Sequence, residues 1–101
     1  KPLSQLKSIG LEDAREEIDE ANNRIAGNVR DRMDAVLKVL DHKSRESMDI
    51  RDREREEEVK EDFEEMFRNK KMPPERGREL AEVLIETAVD IQKDLMEEEG
   101  K

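Results

Sequence analysis

The sequence contains no cysteine, tryptophan or tyrosine among its 101 residues, and only two phenylalanines and one histidine. Without cysteine the chain can form neither a disulfide nor a thiolate metal site. Because His42 is the only histidine, a histidine-based metal site and a Ser-His-acid triad both lack parts. A glycine-rich phosphate-binding loop is also missing. We therefore expect neither a metal ion nor a cofactor.

Apolar residues are scarce as well, at 33%, whereas charged residues make up 49% and the net charge is −9. This balance approaches that of disordered chains, but the apolar residues recur at helical spacing. The combination is typical of a helical bundle that completes its core by oligomerising. The acidity disfavours nucleic acid and anionic membranes as partners. The lack of any signal or membrane segment predicts a cytoplasmic protein. Because the sequence starts at Lys1 and not at methionine, we expect it to be a trimmed chain or a piece of a longer polypeptide.

The longest stretch of helical periodicity runs from Leu11 to Lys43. Its apolar residues lie mostly three or four positions apart, at Leu11, Ala14, Ile18, Ala21, Ile25, Val29, Val36 and Leu40. At 1.5 Å per residue this predicts a helix about 48 Å long. A compact domain of this size has a radius of gyration of roughly 13 Å. Such a helix needs a partner to cover its apolar stripe, and the expected partner is a second copy of the chain.

A lead-in precedes this helix, and a second, shorter helix follows it. Residues 1–10 are expected to be frayed or only partly helical, and Ser44–Asp49, where the stripe is lost, to form a loop. The second helix is expected to begin near Asp49 or Asp52, either of which can act as its N-cap, and to end by Lys71. Its predicted buried residues are Val59, Phe63, Met66 and Phe67.

Pro73-Pro74 is expected to begin a third helix, because proline is tolerated in a first turn but not in a helix interior. One side of this helix carries a set of mostly apolar residues: Leu80, Val83, Leu84, Thr87, Ala88, Ile91 and Leu95. Residues 97–101 are expected to form a flexible, solvated end. The predicted fold is therefore all-α, with three helices, the first much the longest, in one domain over residues 11–96.

Three cations lie along the first helix. Arg32 and Lys43 are eleven residues apart, so they share a face at a separation of about 16 Å. Arg15 lies roughly 25 Å further back along the axis. One small ligand therefore cannot contact both Arg15 and Lys43 of the same chain, although an antiparallel partner could supply its own Arg15. The alternative is that all three are ordinary surface cations.

Two further groups of residues share helix faces. Asp52, Arg55 and Glu56 are spaced i, i+3, i+4 in the first turn of the second helix, beside its free backbone N–H groups. On the third helix Ile85 and Val89, with Gln92 three residues on, form an apolar surface that ends in an amide. The alternatives are a solvated capping turn and an exposed polar residue, respectively.

This layout resembles the all-helical, AroQ-class chorismate mutases over about residues 11–95. The stretch Arg15-Glu16-Glu17-Ile18-Asp19-Glu20 is similar to the opening Arg-x-x-Ile-Asp-x of that family. The next matches are two cations and the apolar position between them, Arg32, Val39 and Lys43. Residues 51–56 resemble the Asp-x-x-Arg-Glu motif of the second helix, and Leu84-Ile85-Glu86 with Gln92 resembles the signature of the third.

The resemblance implies an intertwined homodimer whose active sites combine residues from both chains. It implies an isomerase of the shikimate pathway that rearranges chorismate to prephenate, for phenylalanine and tyrosine biosynthesis. The reaction is a concerted [3,3] shift without covalent intermediate or proton transfer. It requires restraint of the substrate and stabilisation of negative charge on the breaking ether oxygen.

The resemblance also implies a role for each matching residue. Arg32 and the Arg15 of the other subunit hold the two substrate carboxylates, and Lys43 and Gln92 donate to the ether oxygen. The remaining positions surround the ring: Glu56 and the backbone of Asp52 at the hydroxyl, Arg55 in the ionic network, and Val39, Ile85 and Val89 as apolar walls. Ala88 departs from the family, which often has serine or asparagine there, so a donor to a carboxylate is missing.

Two other functions fit the same sequence. A lyase of the same fold, which releases pyruvate from isochorismate, would keep the carboxylate-binding cations and the lysine. A non-catalytic acidic helical dimer that acts as an interaction module is favoured by Ala88 alone. Fusion to a dehydratase or dehydrogenase domain is known among such mutases, but nothing in this sequence encodes one.

Overall fold

The computed structural model describes residues 3–45 and 52–99, with side chains described for residues 10–41, 52–95, 97 and 98. It contains three helices, α1 (Leu3–Arg45), α2 (Arg53–Asn69) and α3 (Pro74–Glu99). The described residues include no β-strand, so the all-α prediction with a long first helix is confirmed. None of the described helices combines the length and the apolar character needed to cross a membrane.

Helices α1 and α3 are longer than the sequence pattern predicted. Helix α1 begins at Leu3, within the expected lead-in, and continues through Arg45, two residues into the predicted loop. The rest of that loop lies outside the described residues. Helix α3 extends to Glu99 and so includes part of the expected flexible end. Both helices continue past the last apolar residue of their apolar faces. Charged and polar residues can extend a helix in this way because they support helix formation without burying a face.

The chain divides into two units, residues 1–32 and residues 33–101. Over its described residues the first unit is one helical segment, and it exposes three large apolar side chains: Leu11 at 45%, Ile18 at 58% and Ile25 at 58%. A row of exposed aliphatic side chains gains nothing from the hydrophobic effect within its own unit.

The second unit has a small core around the packed helices α2 and α3. Its buried apolar side chains are Met33 on α1 and Ala81, Leu84, Ile85, Ala88 and Val89 on α3. Helix α2 contributes no fully buried residue. Its half-buried side chains include three of the four predicted ones, Val59, Phe63 and Phe67.

The predicted burial of Met66 was wrong, and two residues of the predicted apolar side of α3 are exposed as well. Met66 (44% exposed), Leu80 (40%) and Val83 (61%) lie at the surface of the single chain. The buried apolar side chains described for α3 are Leu84 and Ala88 from that side, together with Ala81, Ile85 and Val89. The buried face is therefore rotated about the helix axis from the predicted side, toward Ile85 and Val89.

The link between α2 and α3 is a Schellman motif, which ends α2 where the sequence predicted. The N–H of Met72 donates to the carbonyl of Phe67 (2.9 Å), and the N–H of Lys71 donates to that of Arg68 (3.1 Å). Lys71 has a φ of 64°, the left-handed conformation that usually selects glycine. Pro74 is then the first residue of α3, as predicted.

Gly77 is the point of closest approach between the two helices. A Cβ added to Gly77 would lie 2.5 Å from the carbonyl oxygen of Phe63 and 2.8 Å from Cγ of Phe67. Because backbone cannot move aside as a flexible side chain can, glycine is required here for this packing.

We expect Gly77→Ala to lower the free energy of unfolding by about 1–3 kcal/mol, as overpacking does. The clash with Phe63 outweighs the helix propensity that alanine gains. Urea unfolding followed by circular dichroism measures the change. The matched control is Gly27→Ala in α1, where an added Cβ meets nothing within 4 Å. That variant should be more stable by up to about 1 kcal/mol. An equal gain from both substitutions would show that the contact at Gly77 is not tight.

Candidate functional site

Asp52 begins helix α2 as its N-cap. Its backbone is extended (φ −114°, ψ 96°), and its carboxylate accepts a hydrogen bond from the backbone N–H of Arg55 at 3.0 Å. Of the two predicted N-caps this one is confirmed, whereas Asp49 lies outside the described residues. The Asp52 side chain is therefore engaged in capping, so its own part in a ligand site would fall to its backbone, as the resemblance implied.

Glu56, one turn into α2, is the most enclosed of the predicted polar residues on this helix. Its side chain is 15% exposed, with the guanidinium of Arg53 3.7 Å from one carboxylate oxygen. Arg53 and Arg55 are both exposed. An enclosed carboxylate is a strong acceptor for a hydroxyl donor, because little water competes for its lone pairs.

Helix α3 contributes an apolar face that ends in an amide. Ile85 and Ala88 are each 7% exposed and Val89 is 9% exposed. Gln92, one turn further on, is half-buried and offers both a donor and an acceptor. These four residues are spaced i, i+3, i+4, i+7, so they share one side of the helix. Because residue 88 is an alanine, this face offers no polar side chain before Gln92.

The packing of α2 on α3 brings these two groups to the same end of the helix pair. The helices are antiparallel and make their closest contact between Phe63 and Gly77. Asp52 lies eleven residues before Phe63, and Ala88 lies eleven residues after Gly77. Both helices rise 1.5 Å per residue, so Asp52 and Ala88 are each about 16 Å along the axis from that contact. The capping turn is therefore level with the apolar face of α3.

One cluster of ion pairs joins α2 to α3. Arg78 donates to Glu57 at 2.6 Å and approaches Glu64 at 3.4 Å, both on α2, and it lies 3.8 Å from Glu82 on its own helix. The hydrogen bond from Arg78 lowers the pKa of the Glu57 carboxyl below its usual value and raises the pKa of Arg78. Sequence reasoning missed this cluster, because its charges do not differ from the many others in the chain.

The remaining predicted site residues lie on α1. Arg15, in the first unit, is exposed and lies 3.5 Å from Glu12. Arg32 is half-buried in the same unit, and Val39 in the second unit is 53% exposed. Lys43 is helical, but its side chain lies outside those described. Among the described side chains, no group of three or more His, Asp or Glu residues is placed to hold a metal ion.

Comparison with models of known protein families gives one match. The family described as chorismate mutase type II matches residues 14–93 of the chain. The matched range covers most of the chain and contains every predicted site residue. No curated protein and no solved structure matches the chain.

The capping geometry of Asp52 allows its structural role to be tested. Asp52→Ala removes the acceptor for the Arg55 N–H, so we expect the free energy of unfolding to fall by about 1 kcal/mol. Asp52→Asn keeps a capping oxygen and should stay within a few tenths of a kcal/mol of the parent chain. Chemical denaturation measures both values. Equal losses in the two variants would mean that the negative charge of Asp52, and not the cap, stabilises α2.

Proposed function

The chain belongs to the chorismate mutase type II family, and from this membership and the described geometry we propose how its residues carry out the reaction. As a member of the family it is an isomerase that converts chorismate to prephenate. The substrate is a dianion whose ether oxygen gains negative charge as its C–O bond breaks. A catalyst must therefore hold the enolpyruvyl arm over the ring and place donors at that oxygen in advance.

The observation that carries the proposal is the placement of two groups at one end of the α2–α3 pair. There the enclosed carboxylate of Glu56 is an acceptor for the ring hydroxyl, together with the backbone of Asp52. Gln92 on α3 is a donor for the ether oxygen, and Lys43 is the second donor. The apolar side chains of Ile85, Val89 and Val39 press the substrate into its compact shape, and Arg55 supports the ionic network.

Ala88 weakens this site relative to a version with a hydroxyl or amide at the same position. A hydrogen bond to a charged carboxylate contributes about 1.5–3 kcal/mol. With a buried methyl group at position 88, the carboxylates of the substrate depend on Arg32 and Arg15.

We infer that the active protein is a homodimer. Leu11, Ile18 and Ile25 recur every seven residues with Ala14 and Ala21 between them, which is the heptad pattern of a coiled-coil seam. The large members of this seam are exposed in the single chain. The second unit also exposes large apolar side chains, among them Met66, Leu80 and Val83. A second copy can cover such surfaces reciprocally, because an isologous interface uses the same patches twice.

A dimer also explains the location of Arg15. Arg15 lies beside the heptad seam in the first unit, and a small substrate cannot contact it and Lys43 of one chain. We propose that Arg15 completes the site of the partner subunit. We further propose that residues 11–96 form the catalytic domain and that the enzyme works in the cytoplasm without a cofactor. Its prephenate would supply phenylalanine and tyrosine synthesis.

The first experiment compares wild type, Lys43→Ala and Gln92→Ala by the loss of chorismate absorbance, with separate detection of prephenate. Removal of one donor at a developing negative charge should lower kcat by about 10²–10³. The matched control is Lys70→Ala, which removes an exposed lysine from the α2–α3 link and should leave kcat unchanged. Activity within a few-fold of wild type in Lys43→Ala would show that Lys43 does not lie at the ether oxygen.

The second experiment mixes the inactive variants Arg15→Ala and Arg32→Ala under conditions that allow subunit exchange. Each heterodimer then has one site with both arginines and one with neither. Since half of the dimers in a random mixture are heterodimers, about a quarter of wild-type activity should return. The same mixture kept from exchanging is the control. No recovery despite exchange, verified by mass-tagged subunits, would place both arginines in one chain.

A further inference from the structure

The residue next to Glu56 accepts a short hydrogen bond that joins α2 to α3. Glu57 accepts the 2.6 Å hydrogen bond from Arg78, 21 residues away along the chain. Arg78 also reaches Glu64 at 3.4 Å, seven residues further along the same side of α2. Both of these side-chain hydrogen bonds between the two helices come from Arg78.

The closest packing of α2 against α3 lies away from its first turns. The helix has no fully buried residue, and its close contact with Gly77 involves Phe63 and Phe67, toward its other end. A helix held at one end by packing can still turn or tilt at the other, because half-buried apolar contacts are not directional. Hydrogen bonds are directional, so the bonds from Arg78 to Glu57 and Glu64 limit both movements.

We propose that Arg78 is a positioning residue of the active site: by holding Glu57, it sets the rotation of α2 that aims the neighbouring Glu56 at the substrate. This inference rests on the proposed role of Glu56. The Arg78 side chain is 32% exposed and needs no contact with the substrate. Its effect reaches the site through the α2 backbone, which carries Glu56 and the capping turn of Asp52 together.

The test is a double-mutant cycle on kcat/KM with Arg78→Gln, Glu56→Gln and the double variant. A misplacement of 1 Å can cost about a hundredfold, and a partial loss of orientation should cost about tenfold in Arg78→Gln. In the Glu56→Gln background, removal of Arg78 should cost clearly less than it does in wild type, because the carboxylate that Arg78 orients is already gone. A purely structural role for Arg78 would give the same loss in both backgrounds, and that result would overturn the proposal.

Three further variants keep the test independent of stability. Arg76→Gln removes a neighbouring arginine whose partner, Glu79, is on its own helix, and it should leave kcat/KM unchanged. Arg78→Lys keeps one charged contact and should lie between wild type and Arg78→Gln. The charge reversal Arg78→Glu should be rescued by Glu57→Arg in the same chain, since the pair is then restored in the opposite sense. Failure of this rescue, with both proteins folded by circular dichroism, would count against the pair.

The cycle also separates this proposal from the proposed function. If Glu56→Gln leaves kcat/KM unchanged, the role assigned to Glu56 is wrong, and the role of Arg78 falls with it. If Glu56→Gln lowers kcat/KM while Arg78→Gln matches Arg76→Gln, only the inference about Arg78 is wrong.

Discussion

The contact between Gly77 and the backbone of Phe63 determines most of what the second unit can do. An added Cβ would lie 2.5 Å from the Phe63 carbonyl oxygen, so the separation of α2 and α3 at this point is set by the lack of a side chain. Because both helices are regular, one tight contact fixes which residues are level with each other further along. It places the capping turn of α2 beside the face of α3 that ends in Gln92.

The scarcity of apolar residues explains why this contact matters so much. With 33% hydrophobic residues in the chain and no fully buried side chain on α2, area burial contributes less than in an ordinary domain of this length. Close packing through glycine and alanine, a helix cap and a cross-helix arginine then carry more of the specificity. The apolar side chains that remain exposed, such as Ile18 and Val83, are those that a second copy would have to cover.

The sequence was sufficient for the helices and for the local features of the residues predicted to form the site, because these follow from local chemistry. Helical periodicity predicted three helices, Asp52 was recognised as a cap and Pro74 as a helix start. The burial of Ile85 and Val89 beside a half-exposed Gln92 also agrees with their spacing. Each of these features depends on residues within about two turns of one another.

Features that depend on how two helices meet could not be read from the sequence. Leu80 and Val83 belong to the predicted apolar side of α3 but are exposed, whereas Ala81, Ile85 and Val89, which lie outside that set, are buried. The partnership of Arg78 with Glu57 is set by the register that Gly77 imposes, and in a chain with 49% charged residues no local signal marks it. A pairing between distant residues becomes visible only when the backbone is in place.

The charge of the protein constrains how such a site can bind its substrate. A chain of net charge −9 repels a dianion at long range, but mobile ions screen that repulsion beyond about 8–10 Å. Binding must therefore come from short-range contacts, where charge-assisted hydrogen bonds from arginine and lysine outweigh the distant field. The same reasoning explains why orientation matters here. A site that receives no help from the overall field depends on the exact placement of its few donors and acceptors, and in α2 that placement depends on how firmly the helix is held.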